Sequence, residues 1–333
     1  MRKNRSKFWV SALFVVVLVV FAYVAVNTTL FKPSVGSRLA RLVVVHYLAP
    51  RFTADTPYQK TRDTLEFMAK LGRLPLGTRV EETHVAGLRA EWVRARTVPE
   101  DSSKVLLYFH GGGFFCGSAN THKSLAAMLS KASKMPVLLP EYRLAPEHKY
   151  PAANLDCLDS YLWLLEQGYK PENIAIGGDS AGGCLTLMTL LTLKEKGLPM
   201  PGAAILISPV TDAIHFDGES IKTRDKADPL FAARDIGKHM TWYGGEKDQR
   251  PALMAPLNMD LSGLPPLFIQ AGDDEILLSD STRLAEKAKK AGVDVTLEVW
   301  ENMWHVFQSF GVIVPEARQA IANLGAFLQE KLS

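Results

Sequence analysis

Little in this chain of 333 residues points to a metal, a disulfide scaffold or a nucleic acid. It has three cysteines, Cys116, Cys157 and Cys184, too few for a disulfide framework and without metal-ligand spacing. Each is expected to be a small buried hydrophobe. One pair could be bridged in an exported domain, and spacing alone does not decide it. The formal net charge is only +3, too weak to argue for nucleic acid. No internal repeat or low-complexity tract appears. The glycine-rich loops meet neither the GxGxxG pattern nor a phosphate loop with a following Lys-Ser/Thr. What is abundant is ordinary: 47% hydrophobic and 22% charged residues, enough for a substantial core in one large α/β domain or two smaller ones.

Part of the positive excess sits at the start, in Arg2, Lys3, Arg5 and Lys7. An uncharged run follows over residues 8–26, with Trp9 and Tyr23 near its ends. As a helix it would span roughly 28 Å, enough to cross a hydrocarbon core. Lys32, Arg38 and Arg41 beyond it are fewer and more spread out. The expectation is a single-pass anchor and linker over residues 1–34, with the N-terminus cytoplasmic and the body of the chain outside, in a periplasm or an organelle lumen. Secretion after signal cleavage is the alternative. It is disfavoured because no small-x-small site follows and the run exceeds an h-region of about 7–15 residues.

From residue 77 onward, strand-like and helix-like segments alternate. A strand pair at 78–85 and 90–96 precedes apolar runs at 105–109, 136–140, 174–177, 203–208, 266–271 and 295–300. Helical patterns lie between them near 122–134, 155–166, 181–196, 281–291 and 316–331. Continuous apolar strands separated by helices predict an α/β fold, a mostly parallel central sheet with helices on both faces. Two stretches fall outside the alternation. Residues 35–76 are largely helical in pattern, and residues 215–248 are too long for a simple connection. Both are expected to form a helical cap over the carboxyl ends of the strands, with residues 77–333 as the main domain.

Two glycine-rich turns carry the chemistry. Gly178-Asp179-Ser180-Ala181-Gly182 follows an apolar run and opens an Ala/Leu-rich helix, the context of a strained elbow that exposes a serine hydroxyl. The helix N-terminus favours an anion there, and the Ala181 N–H can hold an oxyanion. His110-Gly111-Gly112-Gly113-Phe114 follows another strand. Gly112 and Gly113 can present N–H groups to a carbonyl under attack, because the backbone can come close where no Cβ intervenes. His110 precedes the serine in the chain and is expected, with Gly111, to orient the loop. A serine needs a base. In doubly wound hydrolases the chain order is serine, acid, histidine. Of the eight histidines only His215, His239 and His305 follow Ser180, and the first two fall in the cap stretch. His305 lies just past the last strand and is the expected base. The acid belongs after the preceding strand, where Asp273, Asp274 and Glu275 are adjacent. Residue types alone leave the choice among them open.

These marks resemble the hormone-sensitive-lipase-like branch of the α/β-hydrolases, the family of bacterial esterases and arylacetamide-deacetylase-type enzymes. The resemblance rests on His110-Gly111-Gly112-Gly113-Phe114, Tyr142-Arg143-Leu144-Ala145-Pro146-Glu147, Gly178-Asp179-Ser180-Ala181-Gly182-Gly183, Asp274-Glu275 and His305-Val306-Phe307, in the family's order. It implies Ser180 as nucleophile, Asp274 as acid, His305 as base, and Gly112, Gly113 and Ala181 as oxyanion donors. Asp-Glu stands where the family commonly has Asp-Pro, with the Asp retained. The stretch 142–147 would brace the site from beneath, and Phe231 or Met254 would line an acyl pocket.

The expected function is that of a membrane-anchored serine carboxylesterase acting on short-to-medium acyl esters of small or lipophilic alcohols. It requires no metal and no organic cofactor, and no nucleic-acid partner is expected. A lactonase or amide deacetylase on the same triad is the alternative within hydrolysis. A non-catalytic small-molecule receptor is the alternative outside it, disfavoured because all three triad positions are filled. Homodimerisation is left open.

Overall fold

Five apolar runs become strands buried along their whole length: β3 (Val105–Phe109), β4 (Val137–Pro140), β5 (Ile174–Asp179), β6 (Ala203–Ile207) and β7 (Leu267–Gly272). With β1 (Arg79–Val85), β2 (Leu88–Arg94) and β8 (Val295–Trp300) they form an eight-stranded sheet of order β1-β2-β4-β3-β5-β6-β7-β8 among the described residues. The computed structural model describes residues 33–333. The apolar run at 8–26 therefore lies outside the described residues, among which no helix is long and apolar enough to cross a membrane.

β2 is antiparallel to both β1 and β4, and every other pairing is parallel. Side chains alternate across the sheet, so one strand feeds two cores. Leu106 and Tyr108 pack with Leu125, Leu129, Leu324 and Leu328 of α3 (Ala119–Ser133) and α9 (Pro315–Lys331). Leu107 and Phe109 point the other way, into the core shared with α4 (Ala152–Glu166), α5 (Ala181–Glu195) and α8 (Leu278–Lys290). Covering both faces explains why the runs are continuously apolar rather than alternating. β1 and β8, at the edges, are only partly buried.

The N-terminal stretch is less regular than two plain helices. α1 (Val35–Val43) passes into a π turn over Val44–Leu48 and a 3-10 turn over Ala49–Arg51 before α2 (Tyr58–Leu71). Pro50 supplies no N–H for a continuing helix, which accords with the break there. Ser34 caps α1 by accepting from the Ser37 N–H, and both its own N–H and its hydroxyl donate to the buried Glu316 carboxylate at 2.8 and 2.7 Å. Ala40, Val44 and Leu48 pack on Met303, Trp304, Phe307 and Ala317. The stretch between β6 and β7 holds α6 (Ser220–Thr223) and α7 (Ala233–Gly244). All three cysteines are free and buried.

Candidate active site

Ser180 sits between the last residue of β5 and the first of α5 with φ +53° and ψ −118°. That backbone is costly for a residue bearing a Cβ and is kept only where its surroundings hold it. Its N–H donates to Ile207 O, while its carbonyl accepts from Val210 and Cys184. Gly182 lets α5 press against β3: a Cβ there would overlap the Phe109 carbonyl.

The glycine loop follows β3. Gly112 has φ +122° and its carbonyl accepts from the Phe115 and Cys116 N–H groups, so the loop folds back tightly. Asp179 joins this loop to the elbow. One carboxylate oxygen accepts from Tyr108 Oη at 2.9 Å and from the Gly111 N–H at 3.1 Å, and the other lies 3.3 Å from His122 Nε2. Burial alone would raise the Asp179 pKa, but the charge of His122 and the hydrogen bonds from His122 and Tyr108 bring it below the usual carboxylate value. The His110 ring stacks on Tyr142, with centroids 4.2 Å apart, and Tyr142 Oη donates to the His110 carbonyl at 2.6 Å. Burial takes the His110 pKa down to about 3, so this ring is neutral.

His305 is nearly fully buried, and its Nδ1 lies 2.8 Å from Glu275 Oε2. A carboxylate can only accept here, so Nδ1 carries the proton and Nε2 presents a lone pair. Nε2 is buried and has no hydrogen-bond partner among the described residues. Burial would lower the His305 pKa, but the hydrogen bond and charge of Glu275 outweigh it, and the net shift is upward.

This geometry corrects the expected acid. Asp274 does not meet His305. It faces outward and pairs with Arg41 of α1 at 2.9 Å, while Arg41 also donates to Ala227 O at 2.5 Å. The turn after β7 explains the exchange. The Asp274 N–H donates to Met303 O and the Gly272 N–H to Glu275 Oε1, so the third carboxylate swings under the imidazole. Asp273 accepts from the Asn302 N–H and acts in the turn.

Ser180, His305, Gly111, Gly112 and Gly113 open on one cavity of about 500 Å³, lined mainly by apolar side chains. α2 contributes Leu65 and Met68, α7 contributes Ile236 and Met240, and Phe231 stands edge-on to His305 with centroids 5.0 Å apart. Met254, expected beside it, is buried in the core against Gly244 instead. The arrangement supplies a strained serine elbow, a base held by a carboxylate, and a glycine loop whose Gly112 and Gly113 N–H groups donate to no partner among the described residues. Residues 106–309 match the model of a family described by its alpha/beta hydrolase fold.

The chain belongs to that family.

Among relatives of this α/β-hydrolase is an acetyl-hydrolase of Streptomyces hygroscopicus, 40% identical over 240 residues, covering 72% of this chain and 79% of the relative. An esterase of Acinetobacter venetianus is 37% identical over 268 residues, covering 80% and 87%. Among solved structures, EstE5 soaked with p-nitrophenyl butyrate superposes with a TM-score of 0.84 at 41% identity, covering 90% of this chain and 99% of that one. An esterase of the bacterial hormone-sensitive lipase family gives 0.82 at 39% identity, covering 88% and 98%. The hydrolase is thus of the hormone-sensitive-lipase-like branch.

Three site residues of this hydrolase escaped the sequence reading as actors. Glu275 was one of three adjacent carboxylates. His122 and Asp179 showed no pattern of their own, although Asp179 lies within the serine motif. Asp228 accepts from the Leu230 and Phe231 N–H groups with one oxygen and from the Ile276 N–H with the other, tying the stretch between β6 and β7 to the turn that carries Glu275. The stretch 142–147 meets the glycine loop from beneath, through Tyr142 and through the Ala145 N–H donating to Phe114 O.

Proposed function

We propose that this hydrolase is a serine carboxylesterase in which Ser180, His305 and Glu275 form the triad. His305 Nε2 takes the Ser180 proton as Oγ attacks the ester carbonyl, and the resulting oxyanion is held by the N–H groups of Gly112, Gly113 and Ala181. The imidazolium, stabilised by Glu275, returns the proton to the leaving alcohol. The acyl-enzyme then gives way to a water deprotonated by the same nitrogen, and the acid leaves with Ser180 restored. The observation that carries this reading is the buried His305, bonded to a carboxylate on one nitrogen and bare on the other, in the cavity that holds the strained serine.

Short-to-medium acyl esters of lipophilic alcohols suit the apolar lining. The run at residues 8–26 is read as a tether that keeps the cavity near a membrane, with the hydrolase domain outside the cytoplasm. The test of the chemistry is turnover of p-nitrophenyl esters from acetyl to palmitoyl. Ser180→Ala is expected to abolish it, with a loss on the order of 10⁴-fold or more in kcat. Undiminished turnover by that variant would remove the serine mechanism.

A further inference from the structure

The rim of the cavity is apolar and uncovered among the described residues. Leu71 of α2 is 65% exposed, Val312 and Ile313 are 50% and 40%, and all three line the cavity. Leu39 and Leu42 of α1 and Phe67 of α2 are about half exposed without lining it. Isolated exposed leucines are ordinary, but a set gathered around one opening marks an interaction surface.

Charge narrows the partner. Residues 33–54 contain Arg38, Arg41, His46 and Arg51 and no carboxylate. Exposed Lys70 and Arg73 lie beside Leu71. Arg41 is held by Asp274, whereas Arg38 is exposed. Apolar side chains bordered by cations are the chemistry of a helix lying in the boundary between anionic headgroups and acyl chains.

Chain length narrows it further. Only residues 27–33 separate the end of the apolar run from Ser34, and seven extended residues reach at most about 25 Å. Ser34 is fixed by two hydrogen bonds to Glu316. A bilayer holding residues 8–26 would therefore lie within that distance of the start of α1, the helix that carries Leu39 and Leu42.

We propose that this rim is a membrane-docking surface: α1, α2 and the turn at 312–313 sit in an anionic lipid interface, and lipophilic esters enter the cavity from the bilayer without crossing water. This rests on the tether reading of residues 8–26 and adds to it an orientation and a route for substrate. The three native cysteines are buried, so a single added thiol can be labelled selectively.

The full chain would be reconstituted in phosphatidylcholine vesicles containing phosphatidylglycerol. A fluorophore would be placed through Leu42→Cys, Phe67→Cys or, remote from the rim, Glu195→Cys. Brominated acyl chains are expected to quench the first two by at least half and the third hardly at all. Separately, the Leu39→Glu/Leu42→Glu/Phe67→Glu variant is expected to lose at least tenfold in kcat/KM on a bilayer-resident long-chain ester, with p-nitrophenyl acetate in water unchanged. Probes at 42 and 67 quenched no more than at 195 would overturn the docking, as would an equal loss on both esters. Vesicle flotation separates the two readings: a chain that floats with unquenched rim probes keeps its tether and loses its docking face, and one that does not float loses both.

Discussion

Asp274 and Glu275 are chain neighbours with opposite surroundings. Asp274 is partly exposed beside Arg41, and Glu275 is fully buried beneath His305. The two substitutions therefore separate cleanly. Glu275→Gln is expected to lower kcat by on the order of 10² to 10⁴-fold, because the imidazolium loses its counter-charge and the tautomer its restraint. Asp274→Asn is expected to leave kcat within a few-fold, since it breaks only a partly exposed ion pair that does not touch His305. pH profiles add a second readout. His305 works neutral, and its pKa is raised above the ordinary imidazole value, so kcat/KM falls as pH drops through that raised value. Removing the Glu275 charge takes away the main raising influence and leaves burial, which lowers the pKa, against only the weaker raising charges of Asp228 and Asp179. The acid limb of Glu275→Gln should then move to lower pH. An unmoved limb, or a larger loss in Asp274→Asn, would return the acid role to Asp274. Here the sequence was legible only in part. Ser180 and His305 were singled out by motif context and chain order. The acid was not, because three consecutive carboxylates differ only in direction, and direction comes from bonds made by Gly272 and Asp274 to groups distant in the chain or set by the turn.

At the scale of elements, legibility followed burial. Runs such as 105–109 and 203–207 are apolar at every position because helices cover both faces of the sheet, and no other structure suits them so well. The cap stretches lack that constraint. Residues 44–51 leave regular helix for a π turn and a 3-10 turn, shaped by packing on Trp304 and Phe307 that no local pattern announces. The docking of α1 depends on a second long-range contact, the Glu316 carboxylate on Ser34. Glu316→Ala leaves two buried donors of Ser34 without an acceptor. Hydrogen bonds to a charged group contribute about 1.5–3 kcal/mol, so a loss of roughly that size is expected. Limited proteolysis should then cut within residues 35–57 before the sheet domain, with the fluorescence-monitored melting of the remainder little changed. Cleavage of both regions at wild-type rates would mean that α1 is held by its apolar contacts alone.

The cavity belongs to no single element: loops after β3 and β5 supply its floor, and residues from α1, α2, the start of α3, the stretch between β6 and β7, and residues 305–313 supply its walls. Its size and lining bear on what the whole molecule selects. Polar groups line it at Ser180, His305 and the glycine loop, and again at the start of α3 from Asn120 to Ser124, while Leu65, Met68, Ile236 and Met240 supply an apolar wall. Each methylene of an acyl chain buried there should contribute about 0.8 kcal/mol, about fourfold in kcat/KM. For p-nitrophenyl esters a rise of that steepness is expected from acetyl upward until the space of about 500 Å³ is filled, followed by a fall. Ala69, which lines the cavity from α2, offers a check on position as well as size. Ala69→Trp places a large ring in the same space and is expected to move the optimum to shorter chains, with turnover of the acetyl ester retained within a few-fold. A chain-length profile that is flat in the wild type, or unchanged by Ala69→Trp, would mean that the acyl group binds elsewhere and that the apolar walls contact the alcohol instead. The second outcome is open to direct test, because a series varied in the alcohol at constant acetyl group would then show the fourfold steps.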